Sequence, residues 1–239
     1  MNLLVFDIDG TLTTTNEVDT RCFARAFLET FDIALDTSWH IYPHRTDSGI
    51  IRHSFCKHFG RTPTTIELDL FRERFLNLLD REWRAAPQNF RAIAGATRAF
   101  IRIAQQRDYA LALATGGWRV SALFKLEKGN IPIVGLPAAF ADDATEREEI
   151  ARIAIDRAKF HYEQQFDRII LVGDSDCDVT TAARLGLGFV GITADANDAV
   201  LRTAGAQYVL RDYSDFATFM RAVEKAAGVK ACRCPIFDS

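Results

Sequence analysis

"LLVFDIDGTLT", residues 3–13, runs from four apolar residues straight into two aspartates, Asp7 and Asp9, on either side of Ile8. A continuous apolar run that stops at polar residues and a glycine reads as a strand of a parallel sheet covered on both faces. Alternation along a strand puts Asp7 and Asp9 nominally on one face, and Gly10 then lets the backbone turn away. Two carboxylates this close repel unless a cation lies between them. A hard divalent ion with oxygen ligands relieves the repulsion, and magnesium is typical where one or two carboxylates share it with a phosphate and water.

Four further runs repeat the pattern: "ALALAT" (110–115), "IILVGD" (169–174), "GFVGIT" (188–193) and "QYVL" (207–210). Helical segments lie between them, such as "GATRAFIRIAQQ" (95–106), "EREEIARIAIDRAKFHYEQQ" (146–165) and "CDVTTAARLG" (177–186). The alternation predicts an α/β fold, a doubly wound parallel sheet of Rossmann-like form. One interval breaks the rhythm, because the stretch after the first strand is too long for a loop. Within it Phe23, Phe27 and Phe31 recur at helical spacing, as do Phe71, Phe75, Leu78 and Leu79. The expected division is an α/β core over 1–13 and 93–228, an inserted helical domain over 14–92, and a C-terminal tail over 229–239. Breaks at "TTTN" (13–16) and "AAPQNF" (85–90) mark the edges of the insert.

In an open parallel sheet, ligands bind beyond the carboxyl ends of the strands where the winding reverses. Asp7, Asp9, Thr115 and Asp174 all fall at that edge. A metal-held Asp7 carboxylate can act as a nucleophile, Asp9 can exchange a proton with a leaving oxygen and then a water, and Asp174 can be a third oxygen donor. "TGGW" (115–118) joins a hydroxyl to backbone N–H groups at a helix start, a ready anion site.

Asp-Ile-Asp-Gly-Thr at 7–11 resembles the D-x-D-x-T signature of the haloacid dehalogenase (HAD) superfamily. "LALAT" ending in Thr115 resembles its second motif, and "GDSDCD" (173–178) its fourth. The insert stands where that family carries a helical cap of the first type, and the layout is similar to the phosphoglycolate phosphatase-like branch. The resemblance implies a hydrolase, a magnesium-dependent phosphatase acting on a small phosphomonoester through an aspartyl-phosphate. Asp7 would be nucleophile and metal ligand, Asp9 acid/base with its backbone carbonyl on the metal, and Asp174 a metal ligand. Thr115 and Gly116 would hold phosphoryl oxygens, Thr11 would brace the first loop beside them, and Asp178 would support the metal site from behind. The family's third-motif lysine has no counterpart at its usual place. Arg147 is the nearest cation, with Lys159 and Lys125 as other options, and a planar arginine holds phosphate with a different geometry. Alternatives are a phosphomutase of the same fold or a catalytically weakened binding protein.

The net charge of -3 and the absence of a basic run argue against a nucleic-acid partner, and no apolar stretch approaches a membrane span. The expected partner is a small phosphorylated metabolite and the expected location the cytoplasm. Five scattered cysteines do not read as a disulfide framework, and the "CRC" of Cys232 and Cys234 reads as plain tail. His40, His44, His53 and His58 cluster in the insert without a metal-binding spacing. The polar turn "YPHRTDSG" (42–49) within this phenylalanine-rich insert is a candidate substrate-facing loop.

Overall fold

A computed structural model describes residues 1–133, 135–193 and 198–226. Six parallel strands, β1 (Asn2–Phe6), β2 (Tyr109–Ala114), β3 (Ala138–Ala139), β4 (Arg168–Gly173), β5 (Gly188–Ile192) and β6 (Tyr208–Leu210), are ordered β3-β2-β1-β4-β5-β6. The helices are α1 (Asn16–Phe31), α2 (Asp47–Phe59), α3 (Thr65–Ala85), α4 (Ala96–Ala104), α5 (Arg119–Lys128), α6 (Arg147–His161), α7 (Asp176–Leu185), α8 (Asp198–Thr203) and α9 (Phe216–Lys225). The winding reverses at β1, which lies between β2 and β4.

The apolar runs of β1, β2 and β4 are continuous because these strands bury both faces. Leu4 and Phe6 of β1, Leu111 and Leu113 of β2, and Ile170 and Val172 of β4 meet α4, α5 and α9 through Phe100, Leu126 and Phe219. The alternate residues Leu3, Val5, Ala110, Ala112 and Leu171 face α6 through Ile150, Ala154 and Ala158. Small residues on β2 and α6 let helix and sheet approach closely. At about 1.5–3 kcal/mol per large side chain buried, these two layers dominate the stability of the sheet.

β3 is the strand that the sequence does not announce. It is two alanines on the edge of the sheet, paired with Leu113 and Ala114 of β2, and "PAAF" offers neither length nor β-branched residues.

Between β1 and α4, helices α1, α2 and α3 enclose an apolar cluster of their own, built on Phe23, Phe27, Phe55, Phe71 and Phe75. Edge-on ring contacts such as Phe23 to Phe71 at 5.0 Å lock it. α3 begins with a capping box, Thr64 and Glu67 each satisfying the other's backbone N–H. Trp118, from the loop after β2, is fully buried in this cluster, with its ring 5.5 Å from Phe71 and under the guanidinium of Arg72 at 4.6 Å.

Among the described residues, no helix is long and apolar enough to cross a membrane. Cys22, Cys56 and Cys177 are free thiols, while Cys232, Cys234 and the 229–239 segment lie outside the described residues.

Candidate active site

Strand register assembles the site. Phe6 is aligned with Leu113 of β2 and with Val172 of β4, so the chain leaves all three strands at one level and delivers Asp7, Thr115 and Asp174 to one edge. They share a cavity of about 640 Å³ with Asp9, Gly116 and Arg147. Asp7 is 4% exposed, its N–H donates to the Val172 carbonyl at 2.9 Å, and its Oδ1 is buried with no hydrogen-bond partner. Burial first, then the charge of Asp178, hold its pKa well above the usual carboxylate value, and Arg147 only partly offsets them.

Gly10 is required here. Its φ of 72° is left-handed, and a Cβ would stand 2.0 Å from Asp174 Oδ2. Asp174 Oδ2 accepts from the side-chain amide of Asn16 at 2.7 Å, a contact from the "TTTN" break that no sequence motif announces. Asp7, Asp174 and Asp178 each offer an oxygen within 4.8 Å of one another. An orphaned buried oxygen beside two more carboxylates fits a hard divalent cation such as magnesium. Asp178 is already engaged on both oxygens. Ser175 donates to Oδ2 through its hydroxyl at 2.6 Å and its N–H at 3.1 Å, closing the capping box of α7, and Arg147 donates to Oδ1 at 2.7 Å.

The Asp9 side chain turns away from that group. Its Oδ1 accepts from Thr15 at 2.5 Å and its Oδ2 from Lys125 at 2.6 Å. Lys125, 1% exposed, also donates to Asp19 of α1 at 2.6 Å. Burial would lower its pKa, yet Asp19, Asp9 and Asp47 outweigh burial and raise it. Thr11 is fully buried and does not line the cavity. Its carbonyl accepts from Tyr213 at 3.1 Å, and its own hydroxyl has no partner.

The three basic candidates lie in different places. Lys159 pairs with Asp156 on the outer surface of α6 at 2.8 Å. Lys125 sits behind Asp9. Arg147, first residue of α6, lies against the "TGGW" loop, with its Nη2 3.0 Å from where a Gly116 Cβ would stand. Its Nε donates to the Arg45 carbonyl at 3.3 Å. Thr115, 3% exposed, accepts the Gly117 N–H on its hydroxyl at 3.2 Å.

The turn "YPHRTDSG" docks onto this loop. The Asp47 N–H donates to the Gly116 carbonyl at 2.8 Å, and Asp47 Oδ2 accepts the Trp118 N–H at 2.8 Å. Ser48 bridges the Trp118 indole N–H at 2.8 Å to the Ala141 carbonyl at 2.6 Å. Arg45 forms a two-pronged pair with Asp176 at 2.8 and 2.7 Å. Among the described residues, His40, His44, His53 and His58 belong to no group able to hold a metal.

The model of the haloacid dehalogenase-like hydrolases matches residues 4–192. The chain belongs to this family. Solved structures agree on the fold of this haloacid dehalogenase-like hydrolase. A hydrolase from Pseudomonas syringae is 20% identical, with a TM-score of 0.72 over 95% of this chain and 100% of that one. A predicted phosphatase from Clostridium acetobutylicum is 20% identical, with a TM-score of 0.62 over 92% and 98%. A predicted phosphoglycolate phosphatase from Haemophilus somnus is 17% identical, with a TM-score of 0.59 over 91% and 97%. No curated protein sequence matches the chain.

One consequence of this electrostatics is measurable on the metal-free hydrolase. Burial, followed by the charge of Asp178, pushes the pKa of the partly buried Asp174 up to about 7. A carboxyl with a raised folded-state pKa contributes stability that is complete below its unfolded value near 4 and lost as the pH rises through about 7. The melting temperature should therefore fall between pH 5 and pH 8, and Asp174→Asn should remove about 2 kcal/mol of that fall, roughly 5 °C. Magnesium at pH 8 should raise the melting temperature of the wild type more than that of the variant. Identical pH slopes in the two proteins would refute this assignment.

Proposed function

We propose that the protein is a magnesium-dependent phosphatase that hydrolyses a small phosphomonoester through an aspartyl-phosphate. The observation that carries the reading is Asp7, which has a buried, unpartnered Oδ1 and lines a cavity with Arg147, Thr115, Gly116 and Asp174.

In this reading Arg147, the Thr115 hydroxyl and the backbone of the "TGGW" loop orient the phosphoryl oxygens. The Asp7 carboxylate attacks phosphorus as the bond to the leaving oxygen breaks, and Asp9 gives that oxygen a proton. A water then attacks the phosphoryl group, Asp9 takes the proton back, and Asp7 is released with inorganic phosphate. Magnesium, held by Asp7 and Asp174, would supply the positive charge that lets a phosphate dianion approach two carboxylates. Asp178 holds Arg147 in place. The helical layer of α1, α2 and α3 serves as a cap that excludes bulk water.

The test is phosphate release from 4-nitrophenyl phosphate by purified protein with magnesium, and its loss on adding a chelator. Absence of release with magnesium would defeat the proposal. Arg147→Ala should lower kcat/KM by about 10²- to 10³-fold, the usual effect of removing one charge-stabilising donor. Arg147→Lys should recover only part, because a lysine cannot donate to Asp178, the Arg45 carbonyl and a phosphate with the same geometry. An unchanged rate in Arg147→Ala would remove it from the phosphate site.

A further inference from the structure

The cavity floor comes from the strand ends and its roof from the helical layer, where Asp19, Phe23, Trp39, Asp47 and Ile50 face inward. If the floor takes the phosphate, the roof meets the leaving group, and this inference rests on that reading.

The basic side chains around the roof are already committed. Arg45 is held two-pronged by Asp176. Arg21, with a 53% exposed side chain, stands 3.4 Å from Glu82 and 3.9 Å from Glu17. Lys125 is closed between Asp9 and Asp19, and Arg147 belongs to the floor. Among the described residues that line the cavity, no cation is left to receive a carboxylate or a second phosphate on the substrate. An acceptor does remain. Asp47 is 8% exposed and lines the cavity. Its Oδ2 is used by the Trp118 N–H, and Oδ1 makes no hydrogen bond among the described residues. A carboxylate oxygen that lines the cavity with no donor of its own can accept from a ligand, whereas an anionic group beside it would add like-charge repulsion.

We infer that the substrate is a phosphate ester of a small amino alcohol, whose ammonium group donates to Asp47 Oδ1 while its carbons lie against Phe23, Trp39 and Ile50. The aromatic pair suits this occupant. The Phe23 and Trp39 rings meet edge-on at 6.3 Å, forming a corner, and aromatic faces beside a carboxylate are the usual surroundings of a bound ammonium ion. The local field points the same way. Burial, followed by the charge of Asp19, pushes the Asp47 pKa up to about 8, as expected where negative charge exceeds positive and a cation would be welcome.

The experiment compares kcat/KM, with magnesium, for 2-aminoethyl phosphate, ethyl phosphate and phosphoglycolate, alongside 4-nitrophenyl phosphate. The wild type should prefer 2-aminoethyl phosphate over ethyl phosphate by about 10-fold and over phosphoglycolate by about 100-fold, one and two steps of the tenfold-per-1.4 kcal/mol scale. Asp47→Asn keeps an oxygen for the Trp118 N–H but loses the charge. It should bring the first ratio close to one, chiefly through KM. Equal or better use of phosphoglycolate, while 4-nitrophenyl phosphate is still hydrolysed, overturns the inference and leaves the phosphatase reading standing. The same holds if the first ratio survives in an Asp47→Asn protein that melts cooperatively. Release from none of the four overturns the phosphatase reading and this inference with it.

Discussion

Asp7→Asn should lower kcat for any phosphomonoester by about 10⁴-fold or more, because in the proposed mechanism Asp7 supplies the attacking oxygen and an amide cannot. The substitution keeps the shape of a side chain that is almost fully buried, so loss of fold is not the expected cause. Stability should move the other way. Burial and the neighbouring Asp178 raise the Asp7 pKa in the folded chain, so ionising Asp7 destabilises the metal-free protein as the pH rises above the unfolded value near 4. A neutral Asn escapes that cost. Metal-free Asp7→Asn should therefore melt above the wild type at pH 8 and close to it at pH 4. Magnesium should stabilise it less. Phosphate release and thermal melts with and without magnesium check both halves. A variant that keeps wild-type turnover would exclude Asp7 as the nucleophile, whatever its melting behaviour.

The part of this arrangement that is readable in the sequence is what the strands dictate. Leu3 to Phe6 read as a two-sided strand because both faces are in fact covered, Leu4 and Phe6 on one side and Leu3 and Val5 on the other. The parallel register then brings residues far apart in the chain to one edge. Asp7, Thr115 and Asp174 group from the sequence alone because strand ends of a parallel sheet share a level. What the sequence hides is pairing that depends on helix rotation. Lys125 lies 116 residues from Asp9 and 106 from Asp19, and its place on α5 gives no sign that it turns inward between them. Trp118 follows the two glycines of a loop, and nothing local shows that it plugs the phenylalanine cluster of the helical layer. The turn "YPHRTDSG" stands out by its polarity, but only the structure shows Asp47 bonded to the Gly116 and Trp118 backbone. In each case local composition is uninformative because the partner is set by packing between layers.

Lys125→Met should be the most destabilising single change at the site, and it separates a structural role from a functional one. The ammonium is 1% exposed and lies 2.6 Å from both Asp9 and Asp19. Methionine fills similar space but leaves those carboxylates facing one another, with Asp47 nearby. Removing one partner of a buried ion pair costs about 3–5 kcal/mol, which for a chain of this size corresponds to a fall of roughly 10 °C in melting temperature. Adding Asp19→Asn should restore part of the loss, since it removes one orphaned charge, and the non-additivity in a double-mutant cycle measures the pair. The kinetic readout is different. Lys125 and Thr15 together fix both oxygens of Asp9, and in the proposed mechanism Asp9 matters most when the leaving oxygen needs a proton. In the stabilised double variant, hydrolysis of an alkyl phosphate should fall by about 10²-fold, the lower range of general acid catalysis. 4-Nitrophenyl phosphate, whose leaving group departs without a proton, should change little. Equal losses on both substrates would mean that Lys125 only holds the helical layer to the sheet. A loss confined to the alkyl ester would mean that it sets the position from which Asp9 delivers its proton.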